Sequence, residues 1–362
     1  MSVRVKVRNN RQIIVPLRFG RAVTGDSVVD APDVDDRGFA MGNRPGTWGS
    51  TTARGAMVGI TAGDTVRIKV LREDIDDTAS LFVTSSDTSV VTVTAPQGAL
   101  AADGIFSIKG LVDVISVPVK IQVRLGSASG PVLGEMEPHI FQLRQVRVVA
   151  HLVSINGTPT SRSADDLVQL FQDVNVIWRA AGIEFVYNQD ETLQGASESL
   201  TQFATAGTVT THLDPNPPDY REFSKVINLS PDANGINVYF VQAANEWTGL
   251  TYDHDTARPD GYGVVLVDDG DAHALAHELG HFLDLDIHAG EDRQGHHARD
   301  DIDSERRVMF DLRRLDSDQP AYRHDVGYGD LVPGNLIDLK DFSSDQSDGA
   351  LARSRRRSLN PF

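Results

Sequence analysis

The stretch with the clearest chemical pattern runs from residue 274 to residue 288 and reads A-L-A-H-E-L-G-H-F-L-D-L-D-I-H. At its centre His277, Glu278 and His281 form an H-E-x-x-H motif. Residues four apart in an α-helix lie one above the other, so the two imidazoles can bind one metal ion. Glu278 then lies beside the ion without ligating it, where its carboxylate can accept a proton from metal-activated water. The motif therefore predicts a metal site for hydrolysis, with zinc as the ion.

The motif requires a helix, and the surrounding sequence predicts one over residues 272–283. Its apolar face consists of Leu275, Leu279, Phe282 and Leu283. Side chains at this spacing fall on one side of a helix and pack against a core. The apolar run Gly263–Val267 comes shortly before this helix and has the pattern of a buried strand.

A second helix and two more strands belong to the same half of the chain. The spacing of apolar residues predicts the helix over 164–181, with Ser163 as its N-cap and Gly182 as the residue that ends it. Residues 146–155 and 236–242 have the pattern of strands. Strands and helices in this order favour an α+β or α/β arrangement.

The H-E-L-G-H-F-L-D-L-D segment at residues 277–286 resembles the active-site helix of the metzincin zinc peptidases. Residues 178–185 and 236–241 are similar to the front half of such a catalytic domain, and R-R-V-M-F-D at 306–311 is similar to its methionine turn. In that family Met309 would pack beneath the metal. The resemblance spans roughly residues 146–330. It implies a twisted mixed sheet with an active-site helix that binds one catalytic Zn²⁺.

The resemblance also implies a third histidine ligand, which departs here from the family spacing. The family glycine is Asp284, and the third histidine comes one residue late, at His288. In a straight helix His288 would lie about 10 Å beyond His281, at roughly 1.5 Å rise per residue, so it can bind only if the helix breaks near Asp284. We predict His288 as the third ligand. The alternatives that stay open are Glu305, Asp284, Asp286 and the pair His296 and His297.

These residues predict a zinc-dependent endopeptidase that hydrolyses peptide bonds, with His277, His281 and His288 as metal ligands. Glu278 would act as the general base for the attacking water and carry its proton to the leaving amine. The resemblance implies a protein or peptide substrate, bound as an extended strand along an edge of the sheet. We expect Ile236–Gln242 or Gly263–Val267 to be that edge.

The first 145 residues consist of short alternating segments, which are typical of β-strands. These segments are residues 3–7, 12–17, 65–71, 80–84, 89–94, 105–109 and 117–123. Residues 56–125 loosely resemble a bacterial immunoglobulin-like module. We therefore predict an α+β chain in three parts. They are an Ig-like β-sandwich domain at 1–145, a metzincin-like zinc peptidase domain at 146–340 and a polar, arginine-containing tail at 341–362.

Composition excludes several classes of protein. The 362 residues include 34 Lys and Arg against 51 Asp and Glu, which gives a net charge of −17 and argues against a nucleic-acid-binding surface. No apolar run approaches the roughly 18 residues that a membrane span needs. The chain has no cysteine, so it has neither disulfides nor thiolate ligands. We expect no secretory signal at the N-terminus, which is compatible with the cytoplasm or with a signal-independent export route.

Two further interpretations stay open. Seven acidic residues between Asp284 and Asp303 would also suit Ca²⁺, although a solvated acidic loop is the simpler interpretation. In the second interpretation the protein is a non-catalytic binding or structural protein, with a degenerate metal site and its β domain as an interaction module. A peptidase delivered as a toxin is a variant of the enzymatic hypothesis. The sequence does not determine the oligomeric state or the substrate.

Overall fold

The fold is known from a computed structural model. It describes residues 18–21, 34–35, 39–41, 56–71, 79–95, 99–100, 104–112, 119–198, 208–209, 225–229, 232, 235–244, 248–252 and 263–282.

The first part of the described chain forms two sheets that pack on each other. Its strands are β1 (Arg18–Arg21), β2 (Val34–Asp35), β3 (Phe39–Met41), β4 (Ala56–Thr61), β5 (Thr65–Leu71), β6 (Leu81–Ser85), β7 (Val91–Thr94), β8 (Ile105–Gly110), β9 (Ile121–Leu125) and β10 (Val132–Phe141). One sheet has the order β1-β5-β8-β7 and the other β2-β3-β4-β10-β9-β6. Buried residues of both sheets, among them Ile68 and Ile121, share one hydrophobic cluster, so the two sheets form a β-sandwich.

A third sheet of seven strands follows. Its strands are β11 (Arg144–Ile155), β12 (Thr158–Pro159), β13 (Ile183–Tyr187), β14 (Leu193–Glu198), β16 (Ile236–Val241), β18 (Gly249–Tyr252) and β19 (Gly263–Val267). A separate pair joins β15 (Thr208–Val209) to β17 (Ala243–Ala244). The main path is β12-β11-β16-β19-β18, and β13 and β14 pair along the other side of β11. Strand β18 runs antiparallel to β19, whereas β11, β16 and β19 are parallel to one another.

Two α-helices pack on one face of this third sheet: α1 (Ala164–Arg179) and α2 (Ala272–Phe282). A 3₁₀ turn at Gln189–Glu191 and helical residues at 225–227 complete the helical structure of the described part. The capping box of Ser163 and Asp166 is present at the start of α1, as the sequence predicts. In the described part of the chain no helix is long and apolar enough to cross a membrane.

The sandwich and the third sheet meet at the end of α1. The guanidinium of Arg179 binds both carboxylate oxygens of Asp64, at 2.7 and 3.0 Å. The Thr61 hydroxyl donates to the backbone carbonyl of Arg179. Gly59 allows the close approach, since a Cβ there would lie 2.4 Å from the carbonyl oxygen of Ala180. These contacts join the β4–β5 turn to the last turn of α1.

The predicted α+β fold class, with a metzincin-like peptidase domain in its second half, is wrong. The described residues are mostly β, in three large sheets with few helices. The error has a physical cause: strand β18 has only four residues and β14 (L-Q-G-A-S-E) has no run of apolar residues, so the sequences of both resemble surface loops. They pair with largely buried neighbours, the twelve-residue β11 and the five-residue β19, which supply the apolar packing that β14 and β18 lack. The predicted domain limits at residues 145 and 340 stay predictions, and the tail at 341–362 lies outside the described residues.

The sheet face opposite the two helices carries a buried histidine. His151, on β11, is fully buried and stacks on the ring of Tyr239, with centroids 4.3 Å apart. Its Nε2 lies 2.8 Å from Oδ1 of Asn237, an oxygen that also accepts from the backbone N–H of Asp232. Since that amide oxygen is an acceptor, Nε2 is the donor and the proton of the neutral imidazole lies there. Within the described residues, Nδ1 is buried without a hydrogen-bond partner.

Burial lowers the pKa of His151, and its hydrogen bond to Asn237 and the charge of Asp232 only partly oppose this shift. As the pH falls, His151 therefore binds a proton at a higher pH in the unfolded chain than in the folded protein. The stability that depends on neutral His151 is complete above the unfolded-state pKa of about 6.5 and is lost as the pH falls from there toward the lower folded-state pKa.

We predict that His151→Gln makes the free energy of unfolding less dependent on pH below about 6.5. Glutamine keeps a donor near the Nε2 position but does not titrate. Between the two pKa values the wild type should lose up to about 1.4 kcal/mol per pH unit through this residue. Urea unfolding of both proteins from pH 7.5 to 5 measures the difference. Parallel pH profiles would contradict the prediction.

Candidate active site

Helix α2 carries the H-E-x-x-H motif and begins as the sequence predicts. The Asp271 carboxylate caps it by accepting hydrogen bonds from the backbone N–H groups of His273 and Ala274, at 3.0 and 2.9 Å. The helix is described as far as Phe282, and Leu283, the last residue of the predicted helix, lies outside the described residues. Its predicted apolar face is buried in the core, as the positions of Leu275 and Leu279 confirm.

The structure brings three of the four predicted site residues together on this helix. His277 is half-buried, and Glu278 follows it in the same turn. The backbone of His281 lies one turn further along the helix. The fourth predicted residue, His288, lies outside the described residues. The other candidate ligands also lie outside them, as does Met309; those candidates are Glu305, Asp284, Asp286, His296 and His297.

The Glu278 side chain is held against strand β18. Only 9% of Glu278 is exposed. The Thr251 hydroxyl lies 2.7 Å from Oε2 of Glu278 and 2.6 Å from the backbone carbonyl oxygen of Glu278. The same hydroxyl therefore contacts both the side chain and the backbone of this residue. Gly249 lies two residues away on the same strand, and a Cβ there would come within 2.8 Å of Glu278 Cγ. The absence of a side chain at Gly249 therefore makes room for the carboxylate.

The sequence alone does not identify Gly249 and Thr251 as site residues, because the polar segment between residues 242 and 263 is typical of a surface loop. The signal was present: G-L-T-Y at residues 249–252 alternates small or polar residues with an apolar and an aromatic one. A run of four residues is too short for its period to stand out from the loops on either side.

The predicted substrate edge is also wrong. Strand β16 lies between β11 and β19, and β19 lies between β16 and β18, so both predicted strands are interior. All residues of β16 and β19 are buried, which is typical of strands covered on both faces. In the described part of the sheet the outermost strand beside α2 is β18, the strand that contacts Glu278.

An arginine fixes the turn that leads from β19 into α2. Nη2 of Arg162 donates to the carbonyl of Asp268 at 2.7 Å, to that of Val267 at 3.3 Å and to that of Gly270. Its guanidinium also lies over the ring of Phe240, 5.7 Å from the centroid. Burial lowers the pKa of Arg162, and the surrounding carboxylates, that of Asp268 first among them, oppose the shift. An arginine stays protonated in such surroundings, so it holds these carbonyls as a cation.

Asp268 ties the same turn to the start of α1. Its carboxylate accepts hydrogen bonds from the Thr160 hydroxyl and from the backbone N–H of Ser161, the latter at 2.8 Å. At the other end of the turn, a Cβ on Gly270 would lie 2.7 Å from a methyl carbon of Leu266. The turn is therefore compact, and the segments that precede α1 and α2 support each other.

The donor set of α2 fits zinc. Two imidazoles four residues apart on a continuous helix are a common pair of zinc ligands, and imidazole nitrogen is a preferred donor for this ion. Among the described residues no three histidine, aspartate or glutamate side chains form a group that could hold a metal ion. The candidates for the third ligand follow Phe282 in the sequence and lie outside the described residues. They are the residues that would complete the site.

No family model and no curated protein matches this chain. Three of the solved structures that match it are of the S-layer protein SbsC. The match to rSbsC(31-844) has a TM-score of 0.19 and 15% identity, and covers 25% of this chain and 12% of that one. The match to SbsC domains 4 and 5 has a TM-score of 0.17 and 15% identity, and covers 23% of this chain and 46% of that one. The match to SbsC domains 1–6 has a TM-score of 0.17 and 13% identity, and covers 24% of this chain and 12% of that one. Similarity at this level carries no argument about fold or function.

We predict that Arg162→Met lowers the free energy of unfolding by about 2–4 kcal/mol, since hydrogen bonds from a charged donor contribute roughly 1.5–3 kcal/mol each. Arg147→Met is the matched control. Arg147 is part-exposed and, within the described part of the chain, its side chain bonds to the carboxylates of Glu191 and Asp232, so its loss should cost about 1 kcal/mol or less. Denaturant unfolding measures both values. If Arg147→Met lowers the free energy of unfolding as much as Arg162→Met does, the conclusion that Arg162 fixes the turn before α2 is refuted.

Proposed function

We propose that this protein is a zinc-dependent endopeptidase. The observation that carries the proposal is the position of Glu278: it follows His277 on a continuous helix and is buried against the outermost described strand of the sheet. Glutamate is rarely buried unless its carboxylate has a partner, and here the Thr251 hydroxyl lies 2.7 Å from Oε2. The resemblance of residues 277–283 to the active-site helix of metzincin zinc peptidases supports the same conclusion.

In the proposed reaction His277, His281 and a third ligand would hold the ion, with His288 as our candidate. A bound zinc ion would supply a Lewis acid that acidifies water and polarises the peptide carbonyl. Glu278 accepts the proton of the attacking water and delivers it to the leaving amine. The Thr251 hydrogen bond limits the positions that the carboxylate can adopt, so the proton acceptor is oriented before the substrate arrives.

The substrate we propose is an extended protein or peptide segment. Strand β18 is the outermost described strand next to α2, and a peptide aligned with it would pass the Glu278 carboxylate. Main-chain hydrogen bonds to an edge strand bind peptides with little dependence on their sequence. Such a site would accept unfolded segments more readily than folded domains.

A second candidate function rests on the same contact. Because the Thr251 hydroxyl joins the backbone and the carboxylate of Glu278, this glutamate also links α2 to β18. That link is useful in a non-catalytic binding or structural protein with a degenerate metal site. Zinc stoichiometry together with casein cleavage, with and without a chelator, separates the two candidates. A peptidase should bind one zinc ion per chain and lose its activity with the chelator, whereas a non-catalytic protein should not cleave casein in either condition.

We predict that Glu278→Gln abolishes casein cleavage and leaves zinc binding intact. Glutamine keeps the size of the side chain but cannot accept a proton from water, so the loss should exceed about 10²-fold. Glu135→Gln is the control, because Glu135 pairs with Lys120 on the sandwich and should not affect activity. Full activity of Glu278→Gln would refute the mechanism.

The third ligand has its own test. We predict that His288→Ala weakens zinc binding at least tenfold and that Glu305→Ala does not, since a catalytic zinc site needs three protein ligands. Competition with a chromophoric chelator measures the zinc affinity of each variant. The opposite result would assign Glu305 as the ligand in place of His288.

A further inference from the structure

Two residues of strand β18, Gly249 and Thr251, contact the Glu278 side chain. Gly249 and Thr251 are two residues apart, so they lie on the same face of the strand, the face toward α2. Gly249 leaves space for the Cγ and Cδ atoms of Glu278, and the single hydroxyl proton of Thr251 is shared between the carboxylate and the backbone carbonyl of Glu278. The position of the carboxylate therefore depends on β18 as well as on α2.

The register of β18 fixes Thr251 in turn. Thr251 pairs with Val264 and Gly249 with Leu266 in the antiparallel ladder. Both partners belong to fully buried positions of β19. A shift of one residue would turn Thr251 to the other face of the sheet and bring Leu250 toward Glu278. The ladder thus determines which side chain meets the carboxylate.

We propose that Thr251 is a positioning residue for Glu278, a proposal that rests on the peptidase function proposed above. Its hydroxyl restricts the carboxylate to one rotamer, in which the base is ready to accept a proton. The side chain of Thr251 touches neither substrate nor metal in this account and acts only through Glu278, while its backbone stays available to a peptide aligned with β18. Its loss should therefore slow the chemical step without weakening the binding of the substrate.

The experiment compares Thr251→Val with Thr251→Ser in the full-length, zinc-loaded protein. Valine keeps the β-branched shape and removes the hydroxyl, whereas serine keeps the hydroxyl and removes the methyl group. Thr248→Val is the matched control, since Thr248 is exposed and three residues away. The measurements are kcat and KM on a peptide substrate, zinc content and the thermal unfolding midpoint.

We expect Thr251→Val to lower kcat by about 10–100-fold with KM and zinc content unchanged, because misplacement of a catalytic group by about 1 Å has effects of this size. Thr251→Ser should keep kcat within about threefold of the wild type, as should Thr248→Val. Equal losses in the serine and valine variants would show that packing matters and overturn the proposal. If the valine variant does not fold, the serine variant still tests the proposal. A loss of kcat in Thr251→Ser, which keeps the hydroxyl, would overturn it.

Two other outcomes also contradict the proposal. Wild-type kcat in Thr251→Val, with an active wild type, overturns the positioning function and leaves the peptidase function intact. A zinc-loaded wild type that does not cleave peptides overturns the peptidase function and the positioning function together. The first outcome is a property of the variant and the second of the wild type, so they are distinguishable.

Discussion

The candidate site depends on the burial of one face of α2. Leu275, Leu279 and Phe282 pack into the core between the third sheet and α1, and each such side chain stabilises the fold by about 1.5–3 kcal/mol. A helix has 3.6 residues per turn, so fixing this face fixes every other position. Residues 277 and 281 then fall beside one another, away from the buried face, and Glu278 falls at the boundary next to β18.

Three sets of contacts outside the motif hold this helix in place. Arg162 and Asp268 fix the turn before it, the indole N–H of Trp178 donates to the carbonyl of Ala276 at 3.3 Å, and Thr251 binds Glu278. These residues come from the segment before α1, the end of α1, the turn before α2 and strand β18. The site is therefore supported by parts of the chain that lie far apart in sequence, and none of them belongs to the H-E-x-x-H pattern.

Local patterns predicted the elements that have strong local signals. The capping box at Ser163, the buried face of α1 and the strand Gly263–Val267 are confirmed. The fold class and the edge strand were wrong because both depend on pairing between distant segments, which a short strand such as β18 does not reveal in its own sequence. The third ligand stays a prediction for a related reason: it depends on the path of the chain beyond Phe282, and spacing alone does not determine that path.

X-ray absorption spectroscopy at the zinc edge, on the full-length protein loaded with one equivalent of Zn²⁺, tests the central claim most directly. The account predicts a four-coordinate ion with at least two imidazole nitrogens at about 2.0–2.1 Å. The double variant His277→Ala and His281→Ala should remove the imidazole signal. A coordination shell of oxygen atoms alone in the wild type, or a spectrum that the double variant leaves unchanged, would contradict the claim that α2 is a zinc-binding helix.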